Sequence, residues 1–459
     1  MSIRERIFRV LSKIRPGKLS ATKIIALVFA GIILLGTFLL ALPVASRSGV
    51  SCGIRPALFT ATSATCVTGL VLFDTWSQWS GFGQVVIISL IQIGGMGFMS
   101  VATLVVFLFR RKVGLKQRMV MAQALSLNDL DGVVRLQKWV IFGSLTVEAL
   151  GALILAIRFY PQYGPVTALK WGVFHSVSAF CNAGFDIFGC ITPGASLIEF
   201  QSDPVVLLTL GTLVVVGGLG FVVWEEVMNF FRTKRLSVYT RLVLAATAVL
   251  LIGGSLCFAL LEWNNPDTIG TMSVGDKILN SVFQSITVRT AGFAAIDQGM
   301  LTEGGKGATI ALMLVGGSSG STAGGVKTVT MVVLLLFIWS RARGKSSVCV
   351  CHRTIPQQRI LDAVTIVSIL VGLAVFGAVF ISATSPVGFT DGLYESVSAL
   401  ATVGLTAGAT GKLSVAAQIL MIIYMYFGRV GVLTISLGFL MGKEAEERFQ
   451  YAQTNLLIG

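Results

Sequence analysis

The chain has 459 residues, of which 54% are hydrophobic and only 12% charged, and its formal net charge is +14; its mean hydropathy is +0.84. A soluble globular domain carries about 25% charge, so the composition excludes that class and implies a polytopic membrane protein with room for about eight spans of roughly 20 residues. The positive charge is no nucleic-acid footprint, because 25 of the 35 Lys and Arg residues cluster between apolar blocks or near the two ends.

In chain order, the first apolar run is 22–43. Basic residues precede it, but it is too long for the core of a secretory signal, about 7–15 residues, and reads as a retained span. A short apolar segment follows at 56–65, then the loop Ala64-Thr65-Cys66-Val67-Thr68-Gly69-Leu70, then a long apolar run at 82–109. The same order returns with 139–159, 171–180, Ala179-Phe180-Cys181-Asn182-Ala183-Gly184-Phe185 and 204–231. It returns again with 241–261, 277–287, Thr287-Val288-Arg289-Thr290-Ala291-Gly292-Phe293 and 308–339. The last set is 360–381, 392–400, Ala399-Leu400-Ala401-Thr402-Val403-Gly404-Leu405 and 416–441. The loop glycines are 115, 108 and 112 residues apart, so one unit recurs four times.

The predicted divisions are 1–21, a cytoplasmic amino terminus; 22–115, 116–236 and 237–345, the first three repeats; and 346–459, the fourth repeat and carboxyl terminus. The predicted fold class is an all-α polytopic membrane protein of four tandem helix–pore loop–helix repeats around a central pore. Basic clusters lie at repeat boundaries, which puts them and both termini on the cytoplasmic face of the plasma membrane. There they are expected to touch anionic lipid.

The short segments cannot span the bilayer, so each must enter and turn back. Irregular backbone at membrane depth is tolerated only when buried or lining a water-filled cavity, so the four loops are expected to converge. Converging carbonyls can replace the hydration shell of a cation without binding it too tightly to leave, and short helices ending at the loops add a favourable negative dipole end. The candidate ion-binding residues are Thr65, Cys66, Val67, Thr68 and Gly69; Cys181, Asn182, Ala183 and Gly184; Thr290, Ala291 and Gly292; and Thr402, Val403 and Gly404. Within the loops, Asn182 is read as a brace, and Arg289 is expected to point away from the ions and donate to carbonyls behind its loop.

The last long run of repeat three contains Gly316-Gly317-Ser318-Ser319-Gly320-Ser321-Thr322-Ala323-Gly324-Gly325. Each glycine costs about 1 kcal/mol relative to Ala inside a helix, so the run is predicted to break into a mobile intramembrane loop below the glycine loops. A phosphate-cradling reading fails because Val326 separates Gly325 from Lys327. Arg429, in Gly428-Arg429-Val430-Gly431, falls at matching depth and needs acceptors. Carbonyls of the 316–325 loop or an acidic side chain are the expected partners, making Arg429 a latch; snorkelling is the alternative. His175 is expected to be packed or hydrogen-bonded. Glu148, in an apolar helix, is expected to be a buried hydrogen-bond or ion-pair partner, with a functional role as the alternative. The seven cysteines suggest no disulfide framework, and Cys349-Val350-Cys351-His352 resembles half a metal site without its second half.

On the four loops together with Gln92-Ile93-Gly94-Gly95-Met96-Gly97-Phe98 and Gly428-Arg429-Val430-Gly431, nearly the whole chain resembles the Trk/Ktr/HKT superfamily of potassium transporters, and specifically a KtrB-type membrane subunit. The resemblance implies filter glycines at Gly69, Gly184, Gly292 and Gly404 and a gating loop at 316–325 opposed by Arg429. It also implies potassium as the transported ion, sodium as an activator, and no organic cofactor on this chain. Further implications are a homodimer and a cytosolic KtrA-type regulatory ring binding adenine nucleotides. Sodium-passing relatives carry serine at the first glycine, so glycine there favours potassium, and Cys66 stands where threonine is the family habit. Two competing readings remain. A secondary ion-coupled transporter with discontinuous helices expects two inverted halves rather than four parallel units. A membrane enzyme needs a catalytic constellation that two distant histidines do not supply.

Overall fold

The computed structural model describes residues 21–97 and 133–431. The predicted stretches 98–109 and 432–441, the basic residues of 1–18 and 110–118, and Lys443 and Arg448 lie outside the described residues.

Repeat one comprises α1 (Ala21–Ala41), α2 (Ile54–Thr65) and α3 (Gly81–Met96). Repeat two comprises α4 (Val133–Phe180), α5 (Pro204–Gly218) and α6 (Phe221–Thr233). Repeat three comprises α7 (Val238–Glu262), α8 (Val274–Thr287), α9 (Glu303–Met313) and α10 (Thr328–Ala342). Repeat four comprises α11 (Gln357–Thr384), α12 (Phe389–Leu400) and α13 (Val415–Val430). Between repeats three and four, β1 (Cys349–Val350) pairs antiparallel with β2 (Arg353–Thr354), leaving Cys351 and His352 at an exposed hairpin tip.

Local sequence sets the helix starts. Ser80, Asp203, Ser237, Ser273, Thr302 and Ser414 each accept a backbone N–H of the first turn, which satisfies donors the helix cannot. The outer and short helices of repeat two abut without a connecting loop and are separated, as predicted, by a non-helical break at Gly164 (φ 75°, ψ 169°) between Pro161 and Pro165; the two together are α4. Among the described residues, four helices are long and apolar enough to cross a membrane, and they begin the four repeats. Leu34, Leu35, Phe38, Val249, Leu256, Leu260, Phe376 and Val379 are exposed on them. So continuous an apolar exterior needs a lipid solvent.

The predicted continuous helix over 204–231 is corrected: α5 and α6 meet at a 99° bend. Gly220, at φ 91°, lies in the bend, and the freed Gly217 and Gly218 carbonyls accept Thr322 N–H (3.2 Å) and Ser318 N–H (3.0 Å). A straight helix would have kept those carbonyls for itself. The break in repeat three occurs as predicted but is wider than 316–325, because α9 ends at Met313 and α10 starts at Thr328. The bundle closes on itself where the Tyr426 hydroxyl of α13 donates to the Ala26 carbonyl of α1 (2.8 Å).

Candidate functional site

The short helices α2, α8 and α12 and the last part of α4 end at Thr65, Thr287, Leu400 and Phe180, directly before the four loops. In every loop the residue two before the glycine is left-handed: Val67 (φ 56°), Asn182 (59°), Thr290 (67°) and Thr402 (50°). Gly69, Gly184, Gly292 and Gly404 also have positive φ. A β-branched residue in that region is strained, and the strain recurs at equivalent places in three repeats.

The glycines converge. A β-carbon built on Gly69 would stand 2.6 Å from the Ala183 carbonyl oxygen, one on Gly184 2.6 Å from that of Ala291, and one on Gly292 2.6 Å from that of Val403. One on Gly404 would overlap the Thr68 carbonyl oxygen and lie 2.8 Å from the Gly69 Cα. Each repeat therefore abuts the carbonyl of the next, and the fourth returns to the first.

A hydroxyl braces each loop from behind, a feature sequence reasoning missed. Ser63 Oγ accepts from Gly69 N (3.1 Å), and Ser398 Oγ accepts from Gly404 N (3.0 Å) while donating to Leu405 O (2.7 Å). Ser178 Oγ donates to Phe185 O and Thr287 Oγ1 to Phe293 O, both at 2.7 Å. The signal was present as Ser or Thr six residues before three of the glycines and five before Gly292. His175 is buried, bonds Trp171 O through Nδ1 (2.7 Å), accepts Ile187 N–H at Nε2 (3.2 Å) and stacks on Phe188. The Asn182 amide, turned so that its nitrogen donates to Ala179, Phe180 and Val214 carbonyls, holds its own loop.

Arg289 departs from expectation. It is buried, yet among the described residues its guanidinium has no hydrogen-bond acceptor, and Nε is wholly shielded. It borders a small cavity of about 10 Å³ with Thr247 and Gly317. The loop it belongs to directs its carbonyls elsewhere: Phe293 O is already taken by Thr287.

Above the ring lies a vestibule of about 420 Å³ lined by the four glycines, Asp74, Asp186, Asp297 and Thr406. Burial, with Asp74 adding to it, pushes the Asp186 carboxyl up to about 6. Beneath the ring, the 314–327 segment is woven into the bundle. Gly316 N–H donates to Val326 O (2.8 Å), Phe221 N–H to Gly320 O (3.0 Å) and Thr322 Oγ1 to Phe180 O (3.0 Å). Gly324 abuts the Thr402 side chain and Gly325 the Ala401 carbonyl. Arg429 donates through Nη1 to Thr322 O and through Nη2 to Gly94 O and Gly95 O. One of these acceptors belongs to the predicted loop; the two glycine carbonyls come from repeat one.

The TrkH family of cation transport proteins matches residues 21–451. The chain belongs to that family. It is 37% identical to the potassium/sodium uptake protein NtpJ of Enterococcus hirae, over 96% of this chain and 98% of the relative. It is 38% identical to the Ktr system potassium uptake protein B of Bacillus subtilis, over 93% and 94% of the two chains. Its fold matches the crystal structure of the potassium transporter TrkH from Vibrio parahaemolyticus with a TM-score of 0.71, covering 92% of this chain and 86% of that one at 17% identity. A four-repeat, multi-pass helical membrane transporter is therefore the architecture of the chain.

Proposed function

We propose that this chain takes up potassium across the plasma membrane through a carbonyl filter formed by the four glycine loops. The observation that carries the reading is the closed cyclic contact in which each loop glycine faces the carbonyl of the next repeat. Two left-handed residues, with one residue between them in each loop, give the backbone an irregular course that supports exposing carbonyls to a dehydrated cation. The short-helix carboxyl ends add negative potential at the same point. Relatives named for potassium uptake support the choice of ion.

In this reading the loop spanning 316–325 is the gate and Arg429 its latch, since one guanidinium ties Thr322 to repeat one. The latch responds to a cytosolic, nucleotide-binding regulatory partner seated on a homodimer, with both termini cytoplasmic and sodium acting as an activator. The deciding experiment is thallous-ion and potassium uptake into proteoliposomes, with and without sodium competition, for the native chain and Gly404→Ser. Loss of potassium-over-sodium preference is expected; an unchanged preference refutes the filter.

A further inference from the structure

Glu148 is a buried carboxyl in a bilayer-spanning helix that neither the glycine ring nor the 314–327 segment accounts for. It lies in the outer part of α4, 5% exposed, in a helix otherwise suited to lipid. Gln92 Nε2 of α3 donates to Oε1 and Oε2, both at 3.0 Å. Cys181 Sγ donates to Oε1 at 3.9 Å. Ser176 Oγ donates to the Glu148 backbone carbonyl at 2.6 Å and pins this helix to the short helix that ends at Phe180. One donor, Gln92 Nε2, reaches both carboxyl oxygens and the Cys181 thiol reaches Oε1, so only the acceptor-only form uses both oxygens, and it does so against the cost of burial. No cation lies within ion-pair distance of it among the described residues.

Its contacts mirror those of the gate region from the other side. Gln92 lies two and three residues before Gly94 and Gly95, whose carbonyls hold Arg429. Cys181 follows Phe180, whose carbonyl receives Thr322. It packs so closely on α3 that a β-carbon on Gly95 would stand 2.5 Å from its sulfur. Below the ring, Arg429 and Lys327 are both spent on backbone carbonyls, and among the described residues neither is paired with a carboxylate. A cation crossing there meets a repulsive field unless negative charge lies nearby. A carboxylate in a bilayer-spanning helix is costly and marks function by default.

We infer that Glu148 is a specificity-positioning residue: its carboxylate supplies the negative charge behind the second glycine loop and, through Gln92 and Cys181, holds that loop in register with the gate. The inference rests on the potassium-filter reading above. Glu148→Gln keeps the size and one acceptor oxygen for Gln92 or Cys181 while removing the charge and the second acceptor.

Purified dimensions of the test are uptake rate against potassium concentration in proteoliposomes, with folding followed by monodisperse elution in detergent. Glu148→Gln is expected to raise the half-saturating potassium concentration about tenfold, the scale of one buried charge acting on a nearby ion site, with the maximal rate within about twofold. Glu148→Asp is expected to fall between the two. Half-saturation and sodium discrimination equal to the native chain in Glu148→Gln overturn the inference. Should that variant fail to fold, Gln92→Met carries the test: it keeps the charge but removes the donor. It is expected to lower discrimination while leaving half-saturation unchanged, and unaltered discrimination is then the refuting result. Gly404→Ser run in parallel tells the two readings apart. If it retains its preference, the filter reading itself fails; if it loses preference while Glu148→Gln behaves natively, only the role of Glu148 fails.

Discussion

The outer and inner halves of the bundle are built on opposite plans. In the outer half the four repeats are near copies: a left-handed residue at the same position, a glycine two residues on and a hydroxyl behind each loop. In the inner half the repeats share only an interruption. Glycine with positive φ ends α3 at Gly97, bends repeat two at Gly220 and ends α13 at Gly431. Beyond that they diverge, since repeat three carries the 314–327 segment and repeat four the arginine that grips it. A bare cation is spherical and rewards identical ligands on all sides. A latch needs two unlike surfaces with a few kcal/mol between its states, and four identical repeats cannot supply that.

The sharpest way to break this contrast is to damage one copy of the repeated half. Gly404→Ser puts a side chain into the Thr68 carbonyl at a backbone with φ 89°. A fall in potassium-over-sodium preference of about 10- to 100-fold is expected, the size of one strained backbone position, read as competitive thallous-ion uptake. Next in size is Arg429→Ala, which removes charge-assisted bonds to three carbonyls. Each is worth about 1.5–3 kcal/mol, so uptake without the regulatory partner should rise at least about tenfold while ion preference holds. A variant with native basal flux and native regulation would end the latch.

Smaller effects probe the braces. Ser398→Ala removes a hydroxyl serving both Gly404 and Leu405, whereas Ser178→Ala removes one bond to Phe185. At about 1 kcal/mol per bond, several-fold loss of ion preference is expected, larger for Ser398, and equal effects would mean that the additional Gly404 bond contributes nothing to ion preference. The smallest concerns the vestibule. Asp186, pushed up to about 6, is ionised above that pH and neutral below it. Uptake at low potassium should therefore decline about two- to threefold as outside pH falls through 6, as one charge of a steering site is lost, and Asp186→Asn should flatten the profile. A wild-type profile that is flat across this range would detach Asp186 from ion capture.

The short helices were legible because each bounds itself locally. Those predicted at 56–65, 277–287 and 392–400 end at the same residues as α2, α8 and α12, where small residues and glycine stop the helix. The bend at Gly220 was not read, although Gly217-Gly218-Leu219-Gly220 copies the spacing of Gly94-Gly95-Met96-Gly97. An apolar run with glycines is compatible with a straight span, and only the 314–327 segment, arriving from another repeat, makes the bent form the satisfied one. Arg289 misled because its charge predicts an acceptor, yet among the described residues its buried guanidinium has none.

Hydropathy, period and the glycine positions by themselves determined a membrane bundle of four units with four loops obliged to meet, because bilayer lipid offers no partner to irregular backbone. The tertiary structure alone decided which carbonyl each glycine faces, which two repeats Arg429 joins, and that Glu148 stands behind the second loop. Those contacts link residues up to 336 positions apart, Thr68 to Gly404, and no local propensity reports on a partner so distant.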